Sequence, residues 1–507
     1  MDFKLNREEL TCSVPVIKTE VTQAAEQDFI LPDYCPDIFR VLKCCIIPGV
    51  TSAGINGGKL TFELSVTIRV IYRTAEGGGV HCVEECRDFS KTVDLPADAV
   101  NPSVKIEPAV EYVNCRVVSQ RRLDVRGSVI CRVCVTSEKK FEAVCGAYGG
   151  GVQTKKVSAV FPARRLTSAK RITVIEEMEL PAGKPPFGSV VRCDVNVKKG
   201  EQKMIPGKLI TKGEAEVSLL YLPKDGGGKP PEAMRFSIPF SQIIDIEGLD
   251  ESFTAKVDMT APKCVIMPKA EDPAALECEL IMLVNISATR YESSEFATDA
   301  YSTMYECECE PLEILPPAES EKISAGVELN CTLACSEGEI AQVYDMWCEN
   351  ATAAVRRDED KGCSVLYGKA LFCILGKLSD GSAAYAEKEC AFEQDIDISG
   401  EAGAVTIKTE SSSYTISNEG VEAKASLKAE ITAQRGGELR LLKSITLLTD
   451  KPKARDKNCA VKICYADPEG DLWEIAKKYS TSAEAIAEEN SAEPADGRRI
   501  LIIPMKN

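Results

Sequence analysis

The chain has 507 residues, 44% of them hydrophobic and 27% charged, a balance that belongs to folded globular proteins and excludes a disordered chain. At roughly 150 residues per domain, three to four domains are expected. The net charge of −17 argues against a nucleic-acid backbone or an anionic membrane as the main partner.

The opening residues, Met1 to Glu8, hold no apolar run of the signal-peptide type. No stretch reaches about 18 uncharged apolar residues, so no membrane-spanning segment is expected. The chain is therefore expected to stay in the compartment where it is made. On that expectation its 23 cysteines, odd in number and irregularly spaced, are reduced and act as small buried hydrophobes.

The segment Leu31-Pro32-Asp33-Tyr34-Cys35-Pro36-Asp37-Ile38-Phe39-Arg40-Val41-Leu42 comes first. Pro36 suits the first turn of a helix, and Ile38, Val41 and Leu42 fall on one helical face, so a short helix is predicted. Gly54-Ile55-Asn56-Gly57-Gly58-Lys59-Leu60 imitates a phosphate-binding loop. However, Ala53 stands where the first glycine belongs and Leu60 replaces the metal-binding hydroxyl, so a hairpin loop is expected.

Residues 60–72 alternate without a break. Leu60, Phe62, Leu64, Val66, Ile68, Val70 and Tyr72 take one face, and Thr61, Glu63, Ser65, Thr67 and Arg69 the other. Period two over this length predicts a half-buried antiparallel strand. The same pattern returns from Leu123 to Val135 and from Val421 to Ile431.

The only histidine is His81, which removes every mechanism that needs two. His81, Cys82 and Cys86 lack a fourth ligand and a knuckle turn, so no metal centre is expected there. Cys131 and Cys134 have a chelating spacing but lie in an alternating strand, where residues three apart face opposite sides. The pairs Cys307/Cys309 and Cys331/Cys335 are expected to pack rather than react. With no catalytic constellation in view, no enzyme activity and no cofactor are expected.

The strands belong to repeats. Leu31-Pro32, Lys59-Leu60, Tyr72 and Gly77-Gly78-Gly79 recur at Leu180-Pro181, Lys208-Leu209, Tyr221 and Gly226-Gly227-Gly228, each 149 residues on (180 − 31, 208 − 59, 221 − 72, 226 − 77). Phe89 to Leu95 matches Phe240 to Ile246 and Phe392 to Ile398, which adds a third, more diverged copy. Three β-rich modules are expected, at residues 1–150, 151–300 and 301–449.

The charged segment Asp450 to Lys457 reads as a linker within 450–458, followed by a small module over 459–507. Val461, Ile463 and Tyr465 alternate as a short strand. Asp471 is placed to cap a helix in which Leu472, Ile475, Ala476 and Tyr479 form the buried stripe. Thr481-Ser482 opens a second helix from Ala483 to Glu489, and residues 500–503 close as a strand.

The run Asp33-Tyr34-Cys35-Pro36-Asp37-Ile38 with Arg40-Val41-Leu42, followed by a long strand, resembles the SPOCS domain of spore-forming Firmicutes. The C-terminal order, with Leu472-Trp473-Glu474-Ile475-Ala476 and Asn490, resembles a LysM module; Pro468-Glu469-Gly470-Asp471 stands where that family has Pro-Gly-Asp-Thr. Tandem SPOCS repeats ending in one LysM resemble the SipL-type spore-envelope morphogenetic proteins. The fold this implies is mainly β: antiparallel, sandwich-like SPOCS modules followed by a small α/β module ordered βααβ.

The resemblance implies a non-enzymatic adaptor on the mother-cell side of the forespore surface. Its LysM would engage the coat-basement ATPase, SpoIVA, and other coat proteins. The alternative is a wall or cortex protein whose LysM holds peptidoglycan through N-acetylglucosamine. The binding residues implied are Gly470, Asp471, Leu472, Trp473, Ile475 and Asn490. Two readings of Trp473 stay open, an exposed interface anchor or a cover for the small core.

Overall fold

The computed structural model describes residues 3–504 apart from 225–228, 270–271, 273, 313–318, 359–361, 399, 418–419, 436–439, 455–460, 467–470 and 491–498. The alternating segments are strands throughout. β1 (Lys4–Ile30), β2 (Ile38–Asn56), β3 (Lys59–Thr74), β4 (Val80–Asp94), β5 (Val100–Ser119) and β6 (Arg122–Tyr148) form two antiparallel sheets, ordered β1-β6-β5 and β2-β3-β4. β7 (Val152–Glu179), β8 (Phe187–Ile205), β9 (Lys208–Pro223), β10 (Glu232–Asp245), β11 (Thr254–Pro268) and β12 (Ala275–Ser302) repeat this as β11-β12-β7 and β10-β9-β8.

A short strand, β13 (Tyr305–Pro311), then leads into the third copy. Here β14 (Glu319–Leu333), β15 (Ile340–Asp358), β16 (Cys363–Leu378), β17 (Ala383–Ile396), β18 (Glu401–Ser417) and β19 (Gly420–Arg435) pair as β14-β19-β18 and β15-β16-β17. β20 (Leu442–Pro452) returns to pair with β13. The first three residues of the charged segment, Asp450 to Pro452, are thus strand, and residues 455–460 lie outside the described residues.

Each pair of sheets closes over one core. In the first, Leu60, Phe62, Leu64 and Val70 of β3 face Leu123, Val125 and Val129 of β6, all fully buried. Each such side chain contributes about 1.5–3 kcal/mol on burial. Tyr72 closes the end of this core and donates its hydroxyl to the Pro36 carbonyl at 2.9 Å. Tyr221 makes the same bond to Pro185 at 2.7 Å, and the third repeat has Gly376 at that strand position. Gly57 (φ 57°) and Gly58 (φ 74°) make the two-residue turn between β2 and β3, so the glycine run is a hairpin loop, as expected.

The helix expected over 36–42 is absent; β2 starts at Ile38. The physical cause is a pair of bulges, between Ile38 and Arg40 and between Val41 and Lys43. Each inserts a residue and breaks period two, so the apolar positions fall at helix-like spacing on an extended chain. Val41 packs in the first core while Leu42 turns to the opposite side.

These bulges recur between Val190 and Arg192 in β8 and between Val343 and Asp345 in β15. Leu42, Val191 and Tyr344 are the inserted residues, and all three meet in one cluster with Ile71, Leu220 and Leu375. Ile71, Leu220 and Leu375 hold the same position in β3, β9 and β16 and are buried on the outer face of their sheets. The three sandwiches therefore pack around a shared hub of equivalent residues. Ion pairs surround it. Lys43 bonds Glu349 and Glu387 at 2.8 and 2.9 Å, and Arg73 bonds Glu337 at 2.9 Å. Arg192 bonds Asp345 at 2.7 Å and lies over the Trp347 ring.

The copies meet a second time where β1/β6, β7/β12 and β13/β20 extend as ribbons. Ala143, Phe296 and Leu441 join one cluster there, and the residues that follow each of them, Val144, Ala297 and Leu442, join another. At the C-terminus, β21 (Val461–Ala466), α1 (Leu472–Tyr479), α2 (Ala483–Glu489) and β22 (Arg499–Pro504) follow in that order, with β21 antiparallel to β22.

Candidate functional site

The C-terminal module is built on a very small core. Ala476 of α1, Ile486 of α2 and Leu501 and Ile503 of β22 are fully buried, with Leu472, Ile475 and Tyr479 packed against them. Asp471 caps α1 by accepting a hydrogen bond from the Trp473 backbone N–H at 2.9 Å, and Ser482 caps α2 through Ala485 at 3.1 Å. Asn490 clamps the far side. Its side-chain nitrogen donates to the carbonyls of Ile486 and Ile502, and its oxygen accepts from the Ile502 N–H, each at 2.7 Å. The amide of Asn490 is thus engaged with backbone, while Gly470 lies outside the described residues.

Trp473 is half-buried and points at the second sandwich. Its ring meets Tyr301 edge-on at 4.9 Å, and its indole N–H donates to Asp299 Oδ2 at 2.7 Å. Lys477, one turn along α1, donates to both oxygens of Asp299 at 2.7 and 2.8 Å. Tyr301 reaches into the small core and donates its hydroxyl to the Thr481 carbonyl at 2.6 Å. Lys155 of β7 pairs with the capping Asp471 at 2.6 Å. Burial acts to raise the Asp299 pKa, but the Lys477 and Trp473 bonds outweigh it and hold the carboxyl below its usual value.

Sequence reasoning identified Trp473 and missed Asp299, Tyr301 and Lys477. Asp299 and Tyr301 are more than 170 residues away in the chain, beyond the reach of any local pattern, and Lys477 on the same helix had no visible partner without them.

The opposite surface of the module is the sheet. Ile463 pairs with Ile502 and Tyr465 with Ile500, so with Val461 these side chains share the face turned away from the helices. Ile463 is 64% exposed, Tyr465 77% and Ile500 55%. Leu501 and Ile503, the alternate residues of β22, fill the core on the other side. Both faces of this two-stranded sheet are therefore apolar, and among the described residues only one packs against a core.

Elsewhere, His81, Cys82 and Cys86 do not converge. The His81 ring lies against Tyr72 at 5.4 Å, with its pKa lowered by burial; Cys82 turns to the Val191 carbonyl, and Cys86 sits beside Ser65. Among the described residues no group of three His, Cys, Asp or Glu is placed to hold a metal ion. A cleft of about 560 Å³ lies between the first two sandwiches, lined by Pro48, Val50, Ile55, Ile106, Pro262 and Leu283 among others, and its lining carries no titratable side chain. No helix among the described residues is long and apolar enough to cross a membrane.

Compared with known families, the chain matches the family model described as SipL, SPOCS domain, at residues 37–118 and 187–265. The two stretches cover equivalent parts of the first two sandwiches, β2 into β5 and β8 into β11. The match to a SPOCS domain at two stretches suggests a sporulation-related protein. No curated protein and no solved structure matches the chain.

Proposed function

We propose that the chain is a non-enzymatic adaptor of the endospore envelope, working on the mother-cell side of the forespore surface. Its sandwiches form the scaffold, and its LysM-type C-terminal module docks a protein partner, a coat-basement ATPase of the SpoIVA type. The observation that carries this reading is the uncovered apolar face of β21 and β22. A protein rarely leaves a contiguous cluster of Ile and Tyr side chains open to water unless another surface covers it. Trp473 is already engaged by Asp299 and Tyr301, so the sheet face takes the role of anchor.

The test is capture of the purified ATPase by the full-length chain. Ile463→Glu with Tyr465→Glu should abolish capture while circular dichroism stays unchanged, and Trp473→Ala should retain it. Capture lost in Trp473→Ala but kept in the sheet-face variant would move the anchor to α1. Retention on purified cortex peptidoglycan, with no binding to the ATPase, would reject the adaptor and leave the glycan binder.

A further inference from the structure

Two thiols and a carbonyl converge where the second sandwich's ribbon meets β13. Cys307 and Cys309 are two residues apart on β13, so both side chains leave the same face of the strand. Their sulfurs are 3.9 Å apart. The Ala300 carbonyl oxygen of β12 lies 3.3 Å from the Cys309 sulfur and 3.8 Å from the Cys307 sulfur. β12 and β13 belong to different sheets, ordered β11-β12-β7 and β13-β20, so the three atoms span the gap between them.

Packing explains part of this, since both cysteines touch the cluster of Val144, Ala300, Leu442 and Ile445. It does not explain three donor atoms gathered into one triangle by two thiols that are only half-buried. A direct disulfide does not fit. Pairing with β20 runs without interruption from Glu306 to Glu310, and residues two apart on a regular strand are about 6.6 Å apart. A disulfide needs Cβ atoms at about 3.5–4.5 Å.

An atom placed between the sulfurs does fit. Around a tetrahedral zinc-type ion, with sulfur at about 2.3 Å and oxygen at about 2.1 Å, sulfurs lie about 3.8 Å apart and each sulfur about 3.6 Å from the oxygen. The three observed edges match that face to within about 0.3 Å.

We propose that Cys307 Sγ, Cys309 Sγ and the Ala300 carbonyl oxygen form a binding site for a divalent ion of the zinc class, its fourth position filled from solvent. Binding breaks two S–H bonds, passes two protons to solvent and leaves two thiolates on the ion; nothing is oxidised. Contact with Cys309 already draws the Cys307 pKa down to about 7, with burial opposing and Lys453 and Lys477 assisting. The ion would brace β12 to β13 beside the residues that dock the C-terminal module, because Asp299 and Tyr301 flank Ala300 and hold Trp473 and Thr481.

The other close thiol contact, Cys264 with Cys278 at 3.5 Å, has Cys278 fully buried and serves as the control. The test titrates the reduced, metal-free full-length chain with cobalt(II), then with zinc(II), which binds such donors more tightly. The expected result is one cobalt per chain, with the visible bands of a tetrahedral site and a thiolate charge-transfer band, all abolished when zinc displaces it. Cys307→Ser and Cys309→Ser should each weaken binding by more than about tenfold, the scale on which even outer-shell partners of a metal act. Cys264→Ser should bind as the parent does. Zinc should also shield Cys307 and Cys309 of the unsubstituted chain from alkylation, read by peptide mapping, so the outcome does not depend on how the variants fold. Bands that survive in Cys307→Ser and Cys309→Ser, or equal alkylation of the two thiols with and without zinc, would overturn the proposal.

Discussion

Asp299 accepts hydrogen bonds from both Trp473 and Lys477, so one carboxylate of the second sandwich fixes α1. Its folded pKa is depressed, as is that of Asp471 beside Lys155, so both contribute to docking above the unfolded value of about 4 and lose that contribution as pH falls through the folded values. Trp473 and Trp347 are the two tryptophans of the chain, so Trp347→Phe leaves one reporter. Its emission should hold steady from neutral pH down to about 5 and shift to longer wavelength below about 4. Asp299→Ala should show the shifted emission already at neutral pH, and an unshifted spectrum there would mean that the carboxylate does not hold the helix. The capping role of Asp471 and the buried stripe of α1 were legible in the sequence, because both are local. The destination of Trp473 was not, because it is decided by residues of a different repeat.

The strands themselves were the most readable elements. Unbroken alternation from Leu60 to Tyr72, Leu123 to Val135 and Val421 to Ile431 marks the central strand of a sheet in each case, with the apolar face buried. Bulged strands read poorly, since the inserted residues place Ile38, Val41 and Cys44 on one face at three-residue spacing and mimic a helical stripe. The hub left one visible trace: Ile71 occupies the face that Thr67 and Arg69 make polar. Close approach between elements was invisible in the same way. A Cβ on Gly49 of β2 would lie 2.6 Å from both the Cβ and the carbonyl oxygen of Pro262 within the bulge in β11, whereas one on Gly54 of the same strand would meet nothing within 4 Å. Gly49→Ala should therefore cost about 1–3 kcal/mol and raise hydrogen exchange in β11 as well as β2. Gly54→Ala should stay within about 0.5 kcal/mol of the parent. Equal effects from the two would mean that β2 and β11 are not in contact.

At the level of the whole molecule, the sandwiches are joined through the hub and again through the ribbons, so damage to one repeat should be felt in all three. Leu220→Glu places an unpaired charge in a hub residue that is 1% exposed, a change that costs several kcal/mol. Hydrogen exchange should rise together in β3, β9 and β16, although only β9 is altered. A rise confined to β9 would show that the sandwiches fold and open independently. The same hub explains why the copies occur in one chain. After the shared bulge, the equivalent positions carry Lys43, Arg192 and Asp345. Three separate identical subunits would bring three like charges to that place, whereas in the fused chain the third copy supplies the acids, Asp345 pairing with Arg192 and Glu349 and Glu387 with Lys43. Fusion also takes mass action out of the assembly: a trimer of free subunits comes apart on dilution, while these copies remain at a fixed local concentration however few molecules a cell contains.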